Sequence, residues 1–181
     1  MLQVKELSAD YTNLITQADY QQFMRDDDTT QANVIAIMVE SAIRQAEAIC
    51  NASFGTKTYT MYRDTIKGGE KIYLPFAPVR SINEVAKVDP KTGAETVITT
   101  GFATFGLDRK YMVFNVDGIY KVTYETGYAT PASADPRVKE AILQILSENW
   151  ERRDQILVGT IRTIVPQHAA IKLGPFRNNI L

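Results

Sequence analysis

Tyr120-Lys121-Val122-Thr123-Tyr124-Glu125-Thr126-Gly127-Tyr128 ends a strand, and Asp135-Pro136 opens a helix that carries Asn149-Trp150-Glu151-Arg152-Arg153. Beyond it come Val158-Gly159-Thr160, the run Ile164-Val165-Pro166 and the ending Lys172-Leu173-Gly174-Pro175-Phe176-Arg177. Aspartate caps the helix and proline fills its first turn, where a missing donor costs nothing. Val138, Ala141, Ile142, Ile145, Leu146 and Trp150 recur at the three-and-four spacing of a buried helical stripe. Glu140, Glu148, Glu151, Arg152 and Arg153 lie on or near the opposite side. The tail is apolar and punctuated by proline. A tail of that kind docks on something more often than it folds on itself, so the order of features points to assembly and away from catalysis.

Upstream of this run, Lys57 to Tyr128 reads with period two. Thr58-Tyr59-Thr60-Met61-Tyr62 is rich in the aromatic and β-branched residues that strands favour. Gly68-Gly69 reads as a hairpin turn into Lys71-Ile72-Tyr73-Leu74. The prolines of Leu74-Pro75-Phe76-Ala77-Pro78-Val79 remove ladder donors, which predicts an edge or a connecting bend. Asp89-Pro90-Lys91-Thr92-Gly93 is a tight turn between strands at 81–88 and 96–99. Phe102–Phe105 and Tyr111–Asn115 flank a further loop, and Asp117-Gly118 is a two-residue hairpin signal.

Two helices precede the β region. Thr16-Gln17-Ala18-Asp19 reads as a helix start, with Thr16 capping and Asp19 favoured by the helix dipole. This helix reaches about Arg25, with Ala18, Tyr20 and Phe23 on its buried side. Asp26-Asp27-Asp28-Thr29-Thr30 is a loop leading into a cap, since three carboxylates without alternating ligands, a central glycine and a distant glutamate do not make a calcium loop. A long helix follows from about Gln31 to Ala52, a rod of roughly 33 Å at 1.5 Å per residue. Its stripe is Val34, Ile35, Met38, Ala42, Ile43, Ala46, Ile49 and Cys50. Gly55 is the expected stop. Residues 1–13 read as a loose arm. The whole is an α+β chain: a bundle of two N-terminal helices (14–55) and one C-terminal helix (135–156), an inserted antiparallel β-meander (57–128) and an extended C-terminal tail (158–181), in one domain.

Composition excludes several classes. The net charge of −1 gives no global field that favours nucleic acid or an anionic membrane. The single cysteine, Cys50, excludes an intramolecular disulfide and fits a reducing compartment. No apolar run approaches the roughly 20 residues of a membrane span, and residues 1–20 lack a signal peptide's basic start and apolar block. The expectation is a cytoplasmic origin with no membrane partner.

The residues of catalysis are not assembled. His168, the one histidine, sits in the tail beside Pro166 and supports no nucleophilic triad. One histidine and one cysteine do not supply a zinc site. Glu84 and Asp89 could serve glycoside chemistry only within a pocket that the sequence does not signal. Tyr59, Tyr62, Tyr73 and Phe76 could stack single-stranded bases, but basic residues are not gathered around them, and sheet core or subunit contact fits better. Trp150 either closes the helical core or anchors an interface. Arg152 and Arg153 either meet DNA phosphate or a partner carboxylate, or form a solvated helix end. The expectations are therefore no catalytic residue, no metal and no cofactor.

Five stretches stand in a fixed order: Leu14-Ile15-Thr16; Val39-Glu40-Ser41-Ala42-Ile43-Arg44-Gln45-Ala46-Glu47 running on to Asn51 and Phe54-Gly55; Ile72-Tyr73-Leu74-Pro75-Phe76-Ala77-Pro78-Val79-Arg80-Ser81-Ile82; Val122-Thr123-Tyr124-Glu125-Thr126-Gly127-Tyr128; and Val138-Lys139-Glu140-Ala141-Ile142-Leu143-Gln144-Ile145-Leu146 with Trp150-Glu151-Arg152-Arg153. Together they resemble the phage head–tail connector family, the head-completion or adaptor proteins, in the longer form with a β region between the helices. The resemblance spans about residues 14–177. Trp150-Glu151-Arg152-Arg153 departs from the Tyr-Glu-Asn-Arg of many members, and the tail is less typical.

The resemblance implies a structural virion protein without catalytic residues, assembled in the host cytoplasm. Copies would form a ring, commonly of twelve, beneath the portal, extending the DNA channel and offering a surface to the next tail or stopper protein. DNA would pass through the lumen without sequence-specific contact. The C-terminal segment, about Ile161 to Phe176, would reach the portal, with Ile164, Val165, Ile171, Leu173 and Phe176 as apolar anchors. The competing expectation is a β module of another phage structural protein that binds carbohydrate or peptide through its Tyr-rich strands.

Overall fold

The computed structural model describes residues 1–12, 14–25, 32–151 and 166–178. Contacts divide the chain into two compact units, one from Met1–Asp10 and Gly55–Tyr128 and the other from Tyr11–Phe54 and Ala129–Asn179. The first is all β and the second is helical. The α+β class expected from the sequence is the class observed, with antiparallel sheets whose strands, β1 apart, fall in sequence between the N-terminal helices and the last long helix.

In the β unit, strands β1 (Leu2–Asp10), β2 (Thr56–Ile66), β4 (Val79–Val88), β5 (Glu95–Val97) and β8 (Gly118–Thr126) form one sheet in the order β1-β2-β8-β4-β5. A second sheet holds β3 (Lys71–Tyr73), β7 (Tyr111–Phe114) and β6 (Phe102–Phe105) in the order β3-β7-β6. Alternation along β2 and β8 turns Tyr59, Met61, Tyr120, Val122 and Tyr124 inward, and the second sheet contributes Ile72, Met112 and Phe114 to the same core. Inside it Phe114 stacks on Tyr120 with centroids 3.9 Å apart, and Tyr59 stacks on Phe76 at 4.7 Å.

Three expectations for this unit are corrected. Residues 2–10 are a strand rather than a loose arm, paired antiparallel with β2 from Leu2↔Arg63 to Asp10↔Thr56. A register shift between Glu6 and Ser8 interrupts the period-two pattern, and an inward position is held by a carboxylate: Glu6, 3.1 Å from the buried Lys57 ammonium. Asp117-Gly118 does not join a hairpin, because β7 and β8 belong to different sheets. The Asp117 carboxylate instead accepts the Gly68 amide (2.8 Å). Gly68-Gly69 likewise joins strands of different sheets. A Cβ on Gly68 would stand 2.8 Å from the Asn115 carbonyl oxygen, so glycine is required there by close backbone approach. The turn at 89–93 is as expected: Asp89 Oδ1 accepts the Lys91 amide (2.8 Å), Gly93 has φ +72°, and β4 pairs with β5.

In the helical unit, α1 (Gln17–Met24) starts as its sequence specifies. Thr16 Oγ1 accepts the Asp19 amide (3.1 Å), and the Asp19 carboxylate accepts the Thr16 amide (2.9 Å), a reciprocal capping box. Helices α2 (Ala32–Cys50) and α3 (Pro136–Glu151) pack together. Asp135 Oδ1 accepts the Arg137 amide (2.8 Å) at the start of α3. Ile35, Ala42, Ile43 and Ala46 of α2 and Val138, Ala141, Ile142, Ile145 and Leu146 of α3 are buried.

Ala18, Phe23 and Val34, expected inside, are exposed. At 100° per residue, Phe23 lies off the line of Tyr20 and Met24, and Val34 lies off the stripe that starts at Ile35. The stop of α2 is Asn51 rather than Gly55. Asn51 takes the left-handed conformation (φ 50°), and the Ala52 amide returns to the Glu47 carbonyl (3.2 Å). Glu47 is buried, and its carboxylate accepts the Phe54 amide at 2.7 Å.

Candidate functional site

The C-terminal segment carries the residues expected to dock. Part of it is helical: α4 (Gln167–Leu173) follows Pro166 and runs into a 3-10 turn at Gly174–Phe176. Ala169 and Leu173, four residues apart, share one face of α4 and are fully buried, as α4 packs on α3 and α2. The end of the segment is tied to the end of α2. The Asn178 amide donates to the Cys50 carbonyl (2.7 Å), Asn51 Nδ2 donates to the Asn178 carbonyl (3.3 Å), and the Cys50 thiol donates to the Leu173 carbonyl (3.5 Å). Lys172 pairs with Glu140 of α3.

This placement divides the five expected anchors. Leu173 is a core residue at 0% exposure. Phe176 is half-buried, edge-on to Phe54 with centroids 6.3 Å apart and under the Arg137 guanidinium at 5.1 Å. Ile171, on the opposite side of α4 from Leu173, is 66% exposed. Ile164 and Val165 lie outside the described residues, as do Arg152, Arg153 and the run Asp26–Asp28. Trp150 is half-buried and meets the buried ring of Tyr20 edge-on, centroids 6.0 Å apart.

The aromatic residues of the strands separate by position. Tyr59 and Phe76 stack with each other in the core region, whereas Tyr73 is exposed beside Tyr111, which stacks in turn on Phe105. They form no single platform. Among the described residues no cluster of His, Cys, Asp or Glu could hold a metal ion, and no helix is long and apolar enough to cross a membrane. Asp89 is committed to its turn: the Lys91 and Thr92 amides hold its carboxyl below the usual range. The Glu125 carboxyl is held low chiefly by its hydrogen bond from Arg80, with Asn83 Nδ2 donating at 3.2 Å.

Cys50 is buried, on the apolar stripe of α2, and burial pushes its thiol up to about 11. The thiolate is the reactive form, so the folded protein is expected to leave Cys50 unmodified by a thiol reagent at pH 8. One thiol per chain should titrate in denaturant. Rapid labelling of the native protein would show that the α2–α4 contact opens.

Residues 13–168 match the head completion protein family. The chain belongs to that family. Membership makes it a structural connector protein of the virion, and the matched span takes in the β insertion as well as α1, α2 and α3.

Solved structures agree with this head completion fold. A chain from "Neck of empty GTA particle computed with C6 symmetry" is 15% identical, with a TM-score of 0.80 over 99% of this chain and 97% of that one. A chain from "Virion of native gene transfer agent (GTA) particle" is 16% identical, with a TM-score of 0.78 over 98% and 96%. A chain from "Neck of native GTA particle computed with C12 symmetry" is 16% identical, with a TM-score of 0.73 over 99% and 97%. No curated protein matches the chain.

Proposed function

We propose that this head completion protein forms a ring of copies, of twelvefold order, at the capsid vertex. There it joins the portal to the downstream tail or stopper protein and extends the DNA channel. The observation that carries the reading is the family match over residues 13–168. The six- and twelvefold symmetry named for the similar neck structures supports the ring. The role is structural and non-catalytic, and assembly takes place in the host cytoplasm before the protein becomes part of the virion. A net charge of −1 suits a channel wall along which DNA slides, because many phosphate contacts would hold it fast.

Docking on the portal falls to the C-terminal segment, with Ile171 as its exposed apolar anchor. Ile164 and Val165 extend that anchor in sequence, and Arg152 and Arg153 are candidates for the channel wall or a partner contact. Deleting the gene is expected to yield filled heads without tails. Ile171→Asp is expected to keep the circular dichroism of the wild type and to reduce recovery of the protein on portal-bearing heads about tenfold, as for loss of one interface anchor. Normal attachment of that variant would move the docking contact elsewhere. Normal tailed particles from the deletion strain would sink the connector reading.

A further inference from the structure

Helices α2 and α3 pack on each other directly and bury stripes of their own. To that core α4 adds only Ala169 and Leu173. Little inside α4 holds it as a helix. It has seven residues, fewer than the roughly 12 that persist alone in water. Pro166 gives it no side-chain cap, and Gly174 continues in right-handed helical backbone where a left-handed residue would close the helix. The pair Lys172–Glu140 joins two partly exposed side chains, and such pairs contribute little. The seam between α2 and α3 therefore keeps α4 in place, and α2 and α3 keep their own contact without it.

The chain just beyond α4 carries a cost. Ties from the Asn178 backbone to Cys50 and Asn51 hold this residue at 3% exposure. Neither Nδ2 nor Oδ1 of its carboxamide has a hydrogen-bond partner among the described residues. A buried amide gives up its bonds to water, and left unpaired it penalises the conformation that buries it. Departure of the segment from the seam returns those bonds.

We propose that the α2–α3 seam is a holding site for the docking segment: α4 lies there in the free subunit and leaves it for the portal, carrying Ala169 and Leu173 as anchors beside Ile171. The inference rests on the docking reading and adds where the segment is kept before it docks. While α4 is seated, two of its apolar side chains are covered, so free copies present less apolar surface to one another. Seating also lowers the apparent affinity for the portal by the fraction of copies whose α4 is released. Two buried side chains and the ties at the end of α2 favour the seated form. A short uncapped helix and an orphan carboxamide oppose it.

The test closes the seat. A Glu140→Cys/Lys172→Cys double variant is bridged by a bismaleimide whose linker carries a disulfide, with buried Cys50 left in place. The bridged protein is expected to keep the wild-type circular dichroism and to be recovered on portal-bearing heads about tenfold less. Cleaving the linker should restore recovery. Asn178→Leu removes the orphan carboxamide at similar volume. Its α4 amides should exchange hydrogen about tenfold more slowly in the free protein, and attachment should fall by the same factor. Should the bridged variant fail to fold, this second variant decides. Full attachment of the bridged protein, or α4 exchange in Asn178→Leu no slower than in the wild type, would overturn the inference and leave docking through Ile171 standing. If Ile171→Asp attaches normally as well, the docking reading itself fails.

Discussion

Leu173→Ala is expected to lower the unfolding free energy by about 2–5 kcal/mol, the range for truncating a fully buried leucine. Leu173 has no exposed surface, and its carbonyl accepts from the Cys50 thiol at the end of α2. The substitution removes three carbons from the seam where α4 meets α2 and α3. Ile171→Ala, two residues away but 66% exposed, should change stability by no more than about 0.5 kcal/mol. Urea unfolding followed by circular dichroism separates the two. If Leu173→Ala melts with the wild type, the end of the chain does not contribute to the fold and is available to a partner throughout.

That result bears on how the proposed docking role of the C-terminal segment can be tested. Deleting residues 161–181 removes Ala169 and Leu173 from the helical core along with any portal anchor. Loss of attachment by such a truncation would report unfolding as readily as docking. Point changes at exposed positions such as Ile171 keep the two apart.

The second large effect belongs to the N-terminal strand. Glu6→Ala is expected to cost about 1–3 kcal/mol, as when a charged hydrogen-bond partner is taken from a buried group. The Lys57 ammonium, 6% exposed, is 3.1 Å from the Glu6 carboxylate, and Tyr59 Oη donates to the same carboxylate at 3.4 Å. Replacing both charges, Glu6→Leu with Lys57→Met, should be near neutral, because a buried pair recovers little beyond its own desolvation. Hydrogen exchange supplies the local readout: the β1 amides should lose protection in Glu6→Ala and keep it in the double variant. A Glu6→Ala protein as stable as the wild type would show that β1 is held by its ladder alone.

What the sequence determined by itself was set by local chemistry. The capping box at Thr16, the aspartate–proline start of α3 and the Asp89–Gly93 turn depend on residues a few positions apart, so the chain carries the whole instruction. The stripes of α2 and α3 and the alternation of β2 and β8 were legible for the same reason, since a regular period repeats along each element. The family resemblance was legible in the order of these elements, and residues 13–168 bear it out.

Only the tertiary structure decided what depends on distant partners. β1 is a strand because β2 pairs with it, and its inward glutamate is tolerated because Lys57 waits in the neighbouring strand. Asp117-Gly118 and Gly68-Gly69 carry good hairpin chemistry, yet each joins strands of different sheets, since long-range pairing fixes which strands lie side by side. Leu173 and Ile171 look alike in a short apolar segment. A half-turn of α4, set by where α2 and α3 offer a seam, puts one in the core and the other in solvent. Periodicity specifies a face, but burial belongs to whatever the rest of the chain places against it.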